Sequence, residues 1–131
     1  SLTAEEYWIP STRVAEAHVG AGGTAFVYRL DFPAPNGRWK GYAFHSYDLR
    51  FVWEHFGPGD APTPDELRLA DTIHAAWVAF IRDGTPSAAS LPNWPAYSLN
   101  TRPTMLLKAS PHVENDPDGN ELALWDGLLL H

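Results

Sequence analysis

The sequence has no cysteine, so neither disulfides nor thiolate metal sites can be part of its chemistry. That absence leaves the cellular compartment open. Runs of lysine or arginine are also missing and the formal net charge is −7 at pH 7, so no nucleic-acid partner is expected, since that would call for a basic surface. No apolar stretch approaches the roughly 18 residues that span a bilayer, and no basic-then-apolar leader is visible. No membrane partner is therefore expected, and any targeting segment would lie upstream. Nucleophile motifs are absent too: there is no Gly-x-Ser-x-Gly elbow and no Ser-x-x-Lys arrangement. Asp65 and Glu66 read as helix-cap acids, and Asp116 and Asp118 flank a turn proline, so paired-carboxylate chemistry has no support. Repeats and low-complexity tracts are lacking.

What is present is a chain of 131 residues, 44% apolar and 19% charged, values of a globular domain or part of one. Six Trp, five Tyr and six Phe are a heavy aromatic load. Each ring favours burial of on the order of 150–250 Å², and a short chain has little interior to offer. Some of these rings are expected to pack against polypeptide outside this sequence.

The elements follow from local signals. Thr3 and Glu6 have capping-box spacing and could open a turn through Trp8 that Pro10 interrupts. Ser11 to Val19 reads as a short helix with Val14, Ala15, His18 and Val19 on one side, stopped by the glycines from Gly20 to Gly23. Thr24 to Phe32 is rich in strand formers, and its continuously apolar front half suits a strand interior to a sheet. After a Pro/Gly loop comes the stretch Gly41 to Trp53, then a second loop from Gly57 to Pro62. Thr63, Pro64, Asp65 and Glu66 make a strong helix start. Leu69, Ala70, Ile73, Ala76, Trp77, Phe80 and Ile81 form its apolar stripe, and Gly84 ends it. Arg102 to Lys108 reads as a short strand, with Pro103 pointing to a sheet edge. Asn115 to Gly119 is a turn without the oxygen-ligand pattern of an EF-hand, and Glu121 to Leu130 a final short helix.

Among the histidines, His45 carries the most chemical interest. It sits on a loop between a buried strand and a packed helix, which is a rigid mount for a general base. A structural, hydrogen-bonded role is the ordinary fate of such a residue among aromatics. His18 near a helix C-terminus suits dipole compensation, and His74 on the flank of the apolar stripe suits packing. His55 adjoins Glu54, but neighbours on one element point apart and no third metal ligand is suitably spaced. His112 and His131 fall in a loop and at the terminus. Taken by itself, the chain offers a general base and nothing for it to activate.

The stretch Ala43-Phe44-His45-Ser46-Tyr47-Asp48-Leu49-Arg50-Phe51-Val52-Trp53 resembles the histidine region of type-B carboxylesterases, the α/β-hydrolase family of para-nitrobenzyl esterases and cholinesterases. Tyr28 to Phe32, Leu69 to Pro86, Trp94-Pro95-Ala96-Tyr97 and Trp125-Asp126 resemble further markers of that family in the same order. The resemblance implies an α/β fold, the C-terminal portion of an α/β hydrolase, with an interior strand, a histidine loop, a long helix, an edge strand and a final helix. Residues 1–131 would be one incomplete part of that domain, roughly the last quarter of a serine carboxylic-ester hydrolase. His45 resembles the triad histidine. Asp48 resembles the acidic position after it and would buttress the loop, with Gly41 and Ser46 as small supporting residues. Arg50 departs from the proline or small residue often found there. The partner implied is the N-terminal remainder of the same enzyme, carrying the serine, the Asp or Glu and the oxyanion hole, and the substrate a small ester. No metal or organic cofactor is implied. Two other readings are compatible with the residues: a non-catalytic relative acting as a binding module, and an independently folded interaction domain.

Overall fold

A computed structural model of the chain describes residues 7–128. The expected capping box at Thr3 and Glu6 lies outside the described residues. The chain divides into two compact units, residues 7–27, 95–104 and 114–128 forming one and residues 28–94 and 105–113 the other.

The second unit holds most of the buried residues. Its main element is α3 (Pro64–Asp83), with the bounds the sequence predicts. Thr63 Oγ1 accepts the Glu66 N–H at 3.2 Å, and Glu66 Oε1 accepts the Thr63 N–H at 3.0 Å, so two donors at the helix start are satisfied reciprocally. Gly84 ends the helix with φ 78, and its N–H reaches the Phe80 carbonyl at 2.8 Å. Leu69, Ala70, Ile73, Ala76 and Ala79 are buried, but Trp77, Phe80 and Ile81 of the expected stripe are exposed, Ile81 at 78%. Their exposure fits the excess of aromatic and apolar surface that the composition predicts.

Among the described residues, three strands form one sheet ordered β1 (Tyr28–Leu30), β2 (Pro103–Leu107) and β3 (His112–Asn115). β1 and β2 are parallel, with Tyr28 opposite Met105, Arg29 opposite Leu106 and Leu30 opposite Leu107. Two expectations are corrected here. The strand read over 24–32 contracts to three residues, because a ladder exists only where β2 runs alongside; upstream, the Ala25 carbonyl instead accepts the Tyr97 N–H at 2.7 Å. β1 has one partner strand among the described residues. Conversely, β2 is the central strand and not an edge, with all five residues buried. Pro103 is tolerated there because it is the first residue of the strand. β3 is a strand that the sequence does not predict: it shows no alternation of apolar side chains, and its residues are mostly exposed.

The other unit contains α1 (Ile9–Gly20) and α4 (Gly119–Leu124). α1 begins before Pro10, which occupies the first turn, where its missing N–H costs nothing. Its buried side chains are Ile9 and Thr12, whereas Val14 from the expected face is 70% exposed. The reason is local: Ile9 clusters with Leu122, flanked by Trp8 and Trp125, so the helix is anchored at its first turn. α4 is shorter than expected, with Leu122 buried and Leu124 exposed, and residues 129 and 130 lie outside the described part.

Candidate active site

His45 lies on a tight turn that leads directly into α2 (Leu49–Val52), a single helical turn absent from the sequence reading. The Tyr47 N–H donates to the Phe44 carbonyl at 3.1 Å, and the Leu49 N–H to the Ser46 carbonyl at 3.2 Å. Ser46 between them has φ 64, a left-handed conformation in which a small polar residue is tolerated. Gly41 has φ 85, and a side chain there would meet nothing within 4 Å in this chain, so the backbone angle is what calls for glycine. His45 itself is exposed.

The turn is exposed at His45 and Ser46, while Tyr47 and Phe51 after it are buried. Tyr47 is 1% and Phe51 0% exposed, and their rings meet edge to face at 4.9 Å. Phe44 packs on Tyr47 at 4.6 Å, while Phe32 and Phe56 each contact Phe51 at 6.3 Å. Aromatic pairs of this kind add stabilisation beyond their buried area. The Arg50 guanidinium lies 4.9 Å from the centre of the Tyr47 ring and 5.7 Å from that of Phe44. The residue that departs from the resembled pattern thus roofs the aromatic turn as a cation over two π faces.

Two consecutive residues after Ser46 are then fixed by hydrogen bonds of opposite sense. The Tyr47 hydroxyl donates to Glu66 Oε2 at 2.8 Å, on the first turn of α3. Asp48 Oδ2 accepts the Tyr28 hydroxyl at 2.7 Å, from β1. Asp48 stands at the N-cap of α2 without capping it, so its carboxylate is committed to Tyr28. Tyr28 is itself held edge-on between Trp77 and Trp94, at 6.4 and 6.1 Å. Burial, then the partner carboxylate, pushes both phenols above the ordinary tyrosine range, so each stays a neutral donor.

His74 meets the structural role expected of it. Its Nδ1–H donates to the Val52 carbonyl at 2.8 Å, tying α3 to the end of α2, and Nε2 lies 4.0 Å from Glu54. Among the described residues no three His, Asp or Glu side chains are grouped to hold a metal ion.

Of the residues singled out in the sequence, Asp48, Ser46 and Gly41 share the His45 segment, and the structure adds Tyr28, Tyr47 and Glu66. Glu66 had a sequence signal, but only as a capping acid. The two tyrosines stand in the stretches that resemble the family, but no spacing signal ties them to Asp48 and Glu66, which lie 20 and 19 residues away.

Comparison with known proteins agrees with the motifs. A family model described as the carboxylesterase family matches residues 1–125. The para-nitrobenzyl esterase of Bacillus subtilis is 32% identical over 120 residues, covering 88% of this chain and 24% of that protein. A solved para-nitrobenzyl esterase superposes with a TM-score of 0.80 at 30% identity, covering 91% of this chain and 25% of its own. A carboxylesterase of Geobacillus stearothermophilus, solved at pH 6.8, gives a TM-score of 0.80 at 30% identity over 95% of this chain and 27% of its own. The chain spans about a quarter of the length of the curated relatives it matches. Its helices and small mixed sheet are accordingly part of an α/β-hydrolase fold. The chain belongs to the carboxylesterase family.

Proposed function

We propose that this chain is the C-terminal part of a serine carboxylic-ester hydrolase and supplies its general base, His45. Residues 1–131 then form one part of a domain completed by upstream polypeptide that carries the serine, the Asp or Glu that orients the imidazole, and the oxyanion hole. The observation that carries this reading is the placement of His45: it is exposed on a turn whose buried Tyr47 and half-buried Asp48 are hydrogen-bonded to α3 and β1. A base must be reachable by its partner yet held still, and the exposure of His45 beside an anchored Tyr47 supports that reading.

In acylation, the serine oxygen attacks the ester carbonyl carbon while His45 takes the hydroxyl proton. The tetrahedral adduct then collapses, the alcohol leaves with that proton, and an acyl-serine remains. In deacylation, His45 takes a proton from water, which attacks the acyl carbon and releases the acid as the proton returns to serine. The ring must be neutral at the outset, so activity falls as it protonates. Asp48, Gly41 and Ser46 support the loop and do not touch the reacting atoms.

The test is hydrolysis of a short-chain nitrophenyl ester by the full-length protein with and without His45→Ala. A loss of roughly 100-fold or more is expected for removal of a proton-transfer group. A loss smaller than about tenfold contradicts the assignment.

A further inference from the structure

We propose that Glu66 is a positioning residue for His45, acting through the Tyr47 hydroxyl. The proposal rests on the reading of His45 as general base. Glu66 is 4% exposed, although charged side chains are seldom so buried without a specific partner. Its two oxygens have separate tasks: Oε1 accepts the Thr63 N–H at the start of α3, and Oε2 accepts the Tyr47 hydroxyl. One carboxylate therefore welds the N-terminus of the long helix to the segment that carries the imidazole.

The geometry points to orientation of His45 beyond a contribution to folding. Tyr47 is two residues from His45, and Ser46 between them is held at φ 64. A rotation at Tyr47 is thus transmitted to the imidazole through a backbone with few alternative conformations. Asp48 secures the far side of the turn to β1, so releasing Tyr47 removes the tie to α3 and leaves the tie to β1. Misplacement of a reacting group by about 1 Å costs up to roughly 100-fold in rate, and loss of one of two restraints is expected to cost about a tenth of that.

The experiment compares Tyr47→Phe, Thr63→Ala, Glu66→Gln and the Tyr47→Phe/Glu66→Gln double variant in the full-length protein, with the same nitrophenyl ester. Tyr47→Phe keeps the ring packing and removes only the hydroxyl. It is expected to lower kcat about tenfold with KM changed less than about twofold. Thr63→Ala deletes the cap oxygen that accepts the Glu66 N–H and leaves the Tyr47–Glu66 bond in place. It is expected to lower Tm by about one or two degrees with kcat nearly unchanged. Because the pair acts as a unit, the double variant should lose no more kcat than Tyr47→Phe does alone. The proposal is overturned if Tyr47→Phe leaves kcat within twofold of the parent, if Thr63→Ala lowers kcat equally, or if the two losses multiply. His45→Ala in the same assay separates the levels. If it is inactive while Tyr47→Phe is unaffected, only the positioning role falls; if it is active, the assignment of the base falls and the positioning role with it.

Discussion

Glu16 is half-buried and Glu66 buried in their respective units, and the two carboxylates are satisfied in opposite ways. Glu16 on α1 is held by two guanidiniums, Arg13 and Arg102, and Arg13 reaches on to Asp126 at 2.7 Å. Arg102 also donates to the Tyr97 hydroxyl at 3.2 Å. Glu66 is met by a phenol and a backbone N–H, both neutral. Charged networks on partly exposed surfaces are weakened by salt and acid, whereas buried bonds from neutral donors are set by geometry. The tie between the His45 turn and α3 is built in the second way, which suits a part whose task is to keep one ring in place.

The comparison can be broken from either side, and the largest effect belongs to the His45 unit. Phe51 is fully buried at the centre of the aromatic cluster. Phe51→Ala should cost roughly 3–5 kcal/mol in urea unfolding of the full-length protein. A cost below about 1 kcal/mol would mean that aromatic packing does not hold the turn.

A smaller effect is expected at Tyr28. Tyr28→Phe leaves the Asp48 carboxylate without its phenolic donor, and kcat should fall by about three- to tenfold while KM stays near its parent value. Unchanged kcat would remove Asp48 from the support of the loop.

The smallest effect is the acid response of the other unit. Burial alone would raise the Glu16 carboxyl, but the hydrogen bonds from Arg13 and Arg102 outweigh it and hold it below the ordinary value of 4.5. A carboxylate lowered in the folded state contributes stability that is complete above its unfolded pKa and lost as pH falls through the folded one. Arg102→Met should therefore lower Tm near pH 7 and flatten its fall below about pH 4.5, the effect being on the order of 1 kcal/mol or less because the pairs are partly exposed. An unchanged acid slope would show that Glu16 is not responsible.

How much of this could be read in advance depends on how local the cause is. Every signal for α3 sits within its own residues: Thr63, Pro64, Glu66, the apolar period and Gly84. Its bounds were accordingly legible. The length of β1 was not, since a strand extends only as far as its neighbour, and β2 lies more than 70 residues downstream. Pro103 misled for a related reason: its meaning depends on whether it begins a strand or interrupts one. His45 was legible as part of a motif. Its mounting was not, because Tyr28 and Glu66 meet the turn through side chains that no spacing rule relates to it.

The most direct test of the central claim is covalent labelling of the full-length protein by a fluorophosphonate, in which serine oxygen displaces fluoride from phosphorus. If His45 relays the proton of a serine supplied by upstream polypeptide, the label should map to a serine outside residues 1–131, and His45→Ala should slow labelling by roughly 100-fold or more. Labelling at an undiminished rate in His45→Ala, or a label within residues 1–131, would contradict it.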